Sequence, residues 1–513
     1  MIVKNIEFDK DRLLSGVDKI AVAVGSTMGA MGRTVLLESE NHVGGITVTK
    51  DGVTVARGIT LEDPVENLAV TLMKQAAEKT AMTAGDGTTT SIVLAYAIID
   101  EFIASGREAI ASEMRALKKD AEQIIENLKK LAIPVTSESL LHVATISANS
   151  DTEVGELVAS VFGKVGGSGV VTVERSNSGK TYFEISEGLR ISRGWVSPYF
   201  INDKKKSEAN LDNPYILVSD REIQSLQSIE HILTAVISQS KSILIIGEVS
   251  AHALSALNMN VAKGVIKAAV ILPPQFGYKK KELMRDIAAA TGAKYISDDV
   301  GDDFGLVSHL DLGRASKAIV GRESTVLVLD DSALAKQRVE EIKSMDEPND
   351  EGDKKFRDER IATLNGSVGV VYVGAQTDIE QKEKYDRVED AVSATKAAIE
   401  EGILPGGGYA LLLASMDMDE DNIMANAVTA PFYTILENAG YDGDHINTIF
   451  EEYMKDGKSF NPVTEEFGDM LDMGIADPLK VTRSALENAV SVATTILSTK
   501  AIIYNMRENE SRK

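Results

Sequence analysis

Hydrophobic positions follow two different periods along the chain. Between Asp9 and Thr27, Leu13, Leu14, Val17, Ile20, Ala21 and Val24 recur every three or four residues, which predicts an amphipathic helix. A second helical pattern runs from Pro64 to Lys79, and an almost wholly apolar one starts at Ile92. Ile46–Thr49 and Val53–Ala56 alternate with period two on either side of Lys50, Asp51 and Gly52. Asp-Gly between β-branched runs predicts a hairpin, with Asp51 setting its turn. A further helical stretch ends near Leu131, where Ile133 and Pro134 break the pattern. Gly167–Glu174 and Tyr182–Ile185 read together as a hairpin region. From Gly188 to about Gly366 short β runs alternate with helices, and Ile216–Val218, Ser242–Ile246 and Ala268–Leu272 suit buried parallel strands. Leu226, Ile229, Leu233, Val236 and Ile237 repeat at helical spacing, as do Ala253, Leu254, Leu257 and Val261. Asp346–Lys355 is polar and charged, which predicts a solvated connection. Helices dominate again from Thr377, so a mixed domain is inserted into a mainly helical one.

Chemistry concentrates between the second and third helical patterns, at Thr83–Ser91. There Gly85, Asp86 and Gly87 precede Thr88, Thr89 and Thr90 where a loop opens a helix. Glycines let backbone approach a bulky anion, and the first amides of a helix carry about half a positive charge. The three hydroxyls add donors. Asp86 needs a cation to sit beside phosphate, and magnesium bound by a carboxylate and phosphate oxygens would supply it. Taken alone, the same residues fit a loop closed by a threonine helix cap.

Composition narrows the class. With 43% hydrophobic and 26% charged residues the chain reads as an ordinary globular protein, long enough at 513 residues for about three domains. A net charge of −24 argues against a nucleic-acid footprint. The absence of cysteine excludes disulfides and thiolate metal sites and fits a cytoplasmic location. Six scattered histidines give no zinc spacing. No signal-peptide pattern opens the chain and no apolar run reaches membrane-spanning length. The glycine-rich stretch Gly25–Arg33 lacks the Lys-Ser/Thr ending of a P-loop.

Many short segments, in order, carry one resemblance. Thr27–Arg33, Thr49–Arg57, Leu61–Pro64 and Ala84–Thr90 are similar to the first third of group I chaperonins, the bacterial GroEL family. Thr145–Asp151, Arg193–Asn202, Arg387–Val392, Glu400–Gly408 and Asp472–Leu486 continue the likeness through nearly the whole chain. The resemblance implies a multidomain α/β fold. A mainly helical equatorial ATP-binding domain is expected at 1–132 and 402–513. A small α+β intermediate hinge domain would occupy 133–187 and 368–401, and an inserted α/β apical substrate-binding domain 188–367.

By the same resemblance, nucleotide phosphates lie at Asp86, Gly87, Thr88, Thr89 and Thr90, with Asp86 on the metal and help from Thr27, Gly29 and Lys50. Asp51 would orient or deprotonate the attacking water, and Asp390 would be the mobile carboxylate that swings onto the nucleotide. Read alone, Asp390 would simply pair with Arg387 within one helix. Gly407, Asn461, Ile475 and Asp477 match the ribose- and adenine-contacting positions. The implied cofactors are ATP, magnesium and potassium. The polypeptide-binding surface maps to Trp195, Tyr199, Phe200, Glu230, Leu233, Leu254, Asn258 and Met259, with Glu230 and Asn258 standing where family members are mostly apolar. That surface also receives the family's cochaperonin lid, so the two substitutions bear on lid use as well. Ala30 and Met31 replace a Pro-Lys pair, and the tail Arg507–Lys513 lacks Gly-Gly-Met repeats. At the expected ring-to-ring contact, Tyr433 takes the basic position beside Glu437, Asp442, Asp444 and His445.

The expected function is an ATP-hydrolysing chaperone that binds non-native polypeptides and assists their folding in a homo-oligomeric ring, heptameric by resemblance. Neither nucleic acid nor membrane is an expected partner. A metabolic ATP-dependent transferase is disfavoured because the inserted part shows no second catalytic motif. An ATP-gated ring scaffold without general refolding activity stays open, given Glu230 and Asn258.

Overall fold

The computed structural model describes residues 4–7, 10–38, 46–166, 170–176, 179–204, 206–329, 333–345, 350–419 and 421–505. The chain forms two compact units, one of Met1–Ser160, Val173–Tyr182 and Tyr372–Lys513, the other of Val161–Thr172 and Phe183–Val371. The residues expected as equatorial lie in the first unit. Those expected as intermediate lie there too, apart from 161–172, 183–187 and 368–371.

The first unit is built around the helix Thr88–Ala104. Its residues Ile92, Leu94, Ile98 and Phe102 are buried, and helices Leu479–Ser498, Pro64–Ala84 and Asp11–Gly25 pack against it. Leu479–Ser498 carries Ala485, Ala489 and Ala493 at every fourth position, all buried, so small side chains let neighbouring backbones come close. At Gly16 the approach is closer still, since a Cβ there would lie 2.3 Å from the carbonyl oxygen of Glu66. Pro64–Ala84 starts with Pro64 in its first turn behind Asp63, which accepts from the amides of Val65 at 2.8 Å and Glu66 at 3.0 Å. Asn488 donates to Thr80 Oγ1 at 2.9 Å inside this core, across 408 positions of sequence. Strand Lys4–Glu7 pairs antiparallel with Ile502–Asn505, so segments near both ends build one unit as expected.

One predicted element changes type. Val53–Ala56 is not a strand but part of the helix Gly52–Gly58. Asp51 accepts from the amides of Val53 at 3.1 Å and Thr54 at 3.0 Å, and this cap outweighs the β preference of Val, Thr and Val. Ile46–Thr49 pairs instead with Val35–Glu38.

In the second unit, Tyr215–Ser219, Ile243–Ile246 and Ala268–Ile271 are adjacent parallel strands, buried throughout, as their unbroken apolar runs predict. Helices Glu230–Ser238 and Ala251–Ala262 follow the predicted stripes. A second sheet differs from expectation. Strand Ser367–Val373 lies between Val170–Arg175 and Tyr182–Ile191, so these two do not form a hairpin; Gly167–Gly169 lie outside the described residues. Within 346–355, Asp350 caps the helix Glu351–Leu364 through the amide of Gly352 at 2.8 Å, and 346–349 lie outside the described residues. The tail Arg507–Lys513 also lies outside them. No helix among the described residues is long and apolar enough to cross a membrane.

Three helices of this unit meet at a buried carboxylate. Asp286 accepts from Arg360 at 2.6 and 2.8 Å and from Arg338 at 2.9 Å. Replacing one member of a buried ion pair leaves the other charges uncompensated, at a cost of about 3–5 kcal/mol. Asp286→Ala should therefore destabilise the protein by about that amount in chemical denaturation, whereas Lys343→Ala, in an exposed pair with Glu340, should change it by less than about 1 kcal/mol.

Candidate functional site

The loop 85–87 is shaped by its neighbours. Gly85 (φ 76°) ends one helix and Gly87 (φ 81°) begins the next, both left-handed. Neither has room for a side chain. A Cβ on Gly85 would lie 2.3 Å from Ser393 Cβ, and one on Gly87 would lie 2.7 Å from Val481. The glycines thus admit packing partners rather than only an anion. Gly52 makes the third close approach, where a Cβ would sit 2.1 Å from Thr89 Oγ1. These contacts bring the Asp51 turn, the helix Asp378–Glu401 and the start of Leu479–Ser498 to one loop.

The helix Thr88–Ala104 starts at Gly87 with no side-chain cap, which disposes of a threonine capping role. Thr27 Oγ1 lies 3.4 Å from Thr89 Oγ1. Uncapped amides and hydroxyls at a helix N-terminus suit an anion. Thr27 is buried, while Gly29 and Lys50 are exposed.

Four carboxylates face this loop. Burial raises the Asp86 carboxyl, opposed by hydrogen bonds from Ser147 Oγ at 2.7 Å and the Gly87 amide, with Asp51 adding repulsion. Asp390 is pushed well above the usual carboxylate range, first by its protein-dense surroundings, then by the charges of Asp86 and Asp51. Asp477 is raised to about 7 by burial and by Asp86. Asp51 differs in being fixed as a helix cap, and its Oδ2 also accepts from Thr54 Oγ1 at 2.6 Å. Among the described residues, no Lys or Arg side chain pairs with any of the four. Arg387 points elsewhere, to Asp151 at 3.1 Å and Glu383 at 3.7 Å, so the intrahelical pair with Asp390 is not formed. Among the described residues, no three of these or other acidic or histidine side chains lie close enough together to hold a metal by themselves. A hard divalent ion that takes one carboxylate and completes its shell with phosphate oxygens fits Asp86, which no protein cation among those residues neutralises.

A cleft beside the loop is lined by Met28, Asp86, Ser147, Gly408, Ile435 and Asp477 among others. Gly407 (φ 67°) and Gly408 (φ 83°) turn the chain there, and the Gly406 amide donates to Ile475 O at 2.9 Å. Asp477 pairs across a short ladder with Leu404, which places it next to the glycine triplet. Asn461 is buried in the Ser459–Asn461 strand, where its Oδ1 accepts from the Val463 amide at 2.9 Å. Ser147, inside the family-like segment Thr145–Asp151, and Ser393, which nothing in the sequence marks, join the expected residues at this site.

A model of the TCP-1/cpn60 chaperonin family matches residues 20–507. The chain belongs to that family. It is a divergent chaperonin of the group I type, with the mixed multidomain fold expected of one. Among solved structures it is similar to the chaperonin gp146 from bacteriophage EL 2 (Pseudomonas aeruginosa), crystallised in the presence of ATP-BeFx. In crystal form II the TM-score is 0.70 at 24% identity, covering 98% of this chain and 99% of that one. In crystal form I it is 0.64 at 23% identity, again over 98% and 99%.

In this chaperonin the second unit treats the expected polypeptide-binding residues unequally. Tyr199 and Met259 are 63% and 60% exposed, and Glu230 is exposed as well. Phe200 and Leu233 are not available, because both are buried in the unit's core. Helical spacing places Leu233 in a stripe but does not say which flank of the stripe reaches solvent. Trp195 and Leu254 are partly buried against that core, with the Trp195 indole donating to Ser207 O at 2.9 Å. Asn258 is partly buried and its Oδ1 has no hydrogen-bond partner.

The raised carboxyls have a pH signature. A group whose carboxyl is raised on folding holds its proton in the folded chain at a pH where the unfolded chain has lost it. Stability then falls as pH rises from about 4 through the folded value. Without nucleotide or metal, wild-type stability should decline relative to Asp390→Asn and Asp477→Asn between about pH 4 and 7. Denaturation at several pH values measures this; equal slopes for all three proteins would contradict the assignment.

Proposed function

We propose that this chaperonin is an ATP hydrolase that binds non-native polypeptides and assists their folding in a homo-oligomeric ring. The convergence of Asp51, Asp86, Asp390 and Asp477 on an uncapped helix N-terminus, with no protein cation among them, carries this reading. Thr88, Thr89, Thr90 and the adjacent amides, with Thr27, Gly29 and Lys50, receive the phosphates. Gly407, Asn461, Ile475 and Asp477 frame ribose and base. Magnesium, held by Asp86, supplies neutralisation of phosphate charge, and potassium is a further candidate cofactor. Asp390 is the better proton acceptor for the attacking water: it makes no side-chain hydrogen bond among the described residues, whereas both carboxylate oxygens of Asp51 already accept from Val53 and Thr54. Asp51, pinned as a helix cap, orients that water. Phosphoryl transfer to water needs mainly position and charge, and these residues provide both.

Two variants separate chemistry from binding. Asp390→Ala should bind ATP normally yet hydrolyse it at least about a hundredfold more slowly. Asp86→Ala should lose magnesium-nucleotide affinity itself, as read by calorimetry. Normal turnover in the first, or wild-type affinity in the second, would remove those residues from their roles.

A second reading, a ring scaffold gated by ATP without general refolding activity, is favoured by Glu230 and Asn258. With Phe200 and Leu233 in the core, the exposed apolar groups among the residues expected to bind a chain are Tyr199 and Met259. A cochaperonin lid would use the same reduced surface. Refolding of a denatured enzyme separates the two readings. Replacing Glu230 and Asn258 together with Leu should tighten capture of unfolded chains roughly ten- to hundredfold, since one buried Leu contributes about 1.5–3 kcal/mol. No gain across several denatured proteins would mean that these positions do not set affinity.

A further inference from the structure

The segment Ser26–Arg33 carries Thr27 and Gly29 and is closed by its own backbone, with the Gly32 amide donating to Gly29 O at 2.9 Å and the Arg33 amide to Ser26 O at 2.7 Å. Its seat comes from a helix far away in sequence, Ala430–Asn438. In the last turn of that helix Asn438 donates from Nδ2 to the carbonyl oxygens of Gly25 and Met28, each at 2.9 Å. A primary amide has two N–H groups, and both are used on this turn. One helical turn earlier, Ile435 lies under the loop, its side chain 3.2 Å from where a Cβ on Gly29 (φ 83°) would stand. Met28 and Ile435 both line the cleft that also contains Asp86 and Asp477. The clamping helix is itself held, with Phe432 and Leu436 buried and Tyr433 Oη donating to Asn447 Oδ1 at 3.1 Å.

We propose that Asn438 is a positioning residue for nucleotide binding, whose bridging amide sets where Thr27 and Gly29 meet the phosphates. The inference rests on the nucleotide reading of the site. It assigns Asn438 to binding and not to chemistry, because the amide touches the loop while Asp51 and Asp390 are held by other elements. Asn438→Asp keeps size and shape but turns two donated bonds into an oxygen facing two carbonyl oxygens, which drives the turn off its seat.

The test uses the full-length protein and ADP with magnesium. Calorimetry should show Asn438→Asp binding about ten- to hundredfold more weakly than wild type. KM for ATP should rise in step, while kcat at saturating ATP stays within about twofold, a split that a merely destabilised fold would not give. In nucleotide-free protein, amide hydrogen exchange at Thr27–Gly32 should accelerate while exchange in the Thr88–Ala104 helix stays unchanged. Asn438→Ser, which keeps one donor, should fall between the two, and it serves as the test if the Asp variant does not fold. Wild-type affinity and unchanged loop exchange in a folded variant would overturn the assignment, as would a lower kcat at unchanged affinity. Absence of nucleotide binding in the wild type would overturn the nucleotide reading itself and this proposal with it; normal wild-type binding with an indifferent Asn438 would overturn the proposal alone.

Discussion

Like charges crowded at the entrance to one helix govern the first unit. Asp51, Asp86, Asp390 and Asp477 arrive from separate stretches of the chain; burial first and then neighbouring acids make Asp86, Asp390 and Asp477 harder to ionise than free carboxyls. The fold tolerates this because large apolar surfaces surround the point of repulsion, above all the buried contacts of Thr88–Ala104 with Leu479–Ser498. A core that stable can hold groups in an arrangement they would not choose alone. Relief comes from a cation, a proton or movement of a carboxylate, and these are the events expected of a site that cycles.

Close packing and chemistry use the same glycines. Gly52, Gly85 and Gly87 lie where other segments nearly touch the backbone, so a side chain at any of them would push a carboxylate-bearing element away. The Asp-Gly-Thr loop is therefore the junction at which distant parts of the unit register against one another, at the same place where the proposed function puts the phosphates. Ser147 adds one more link to this junction, its hydroxyl donating to Asp86 Oδ2 at 2.7 Å.

The insertion, the buried parallel strands and most helices were legible from apolar periodicity, since burial on both faces or on one stripe leaves a direct mark on composition. At Val53–Ala56 the alternation of β-branched residues suggests a strand, but the Asp51 cap, a local interaction worth about 1 kcal/mol at a short segment, tips it to helix. The supposed hairpin failed for a different reason: strand Ser367–Val373 comes between its two arms, and pairing across such sequence distance leaves no local signal. The candidate site was readable where acids and glycines cluster in a motif. Ser147 is marked only as part of the family-like segment Thr145–Asp151, and its bond to Asp86 has no sequence signal of its own. Phe200 and Leu233 are unreadable because apolar character is the same in a core as on a surface.

The first unit's core joins chain segments that are synthesised far apart in time. Asn488 meets Thr80 across 408 positions, and the apolar faces of Thr88–Ala104 wait for Leu479–Ser498 before they are covered. The inserted unit has its own internal core and no such dependence. During translation the inserted unit can fold early, while the face of Thr88–Ala104 that packs on Leu479–Ser498 stays open until that last helix emerges. For an interval on the ribosome, then, this chaperonin itself presents exposed apolar chain, and completing its core closes a loop of several hundred residues, whose entropic cost grows only slowly with length.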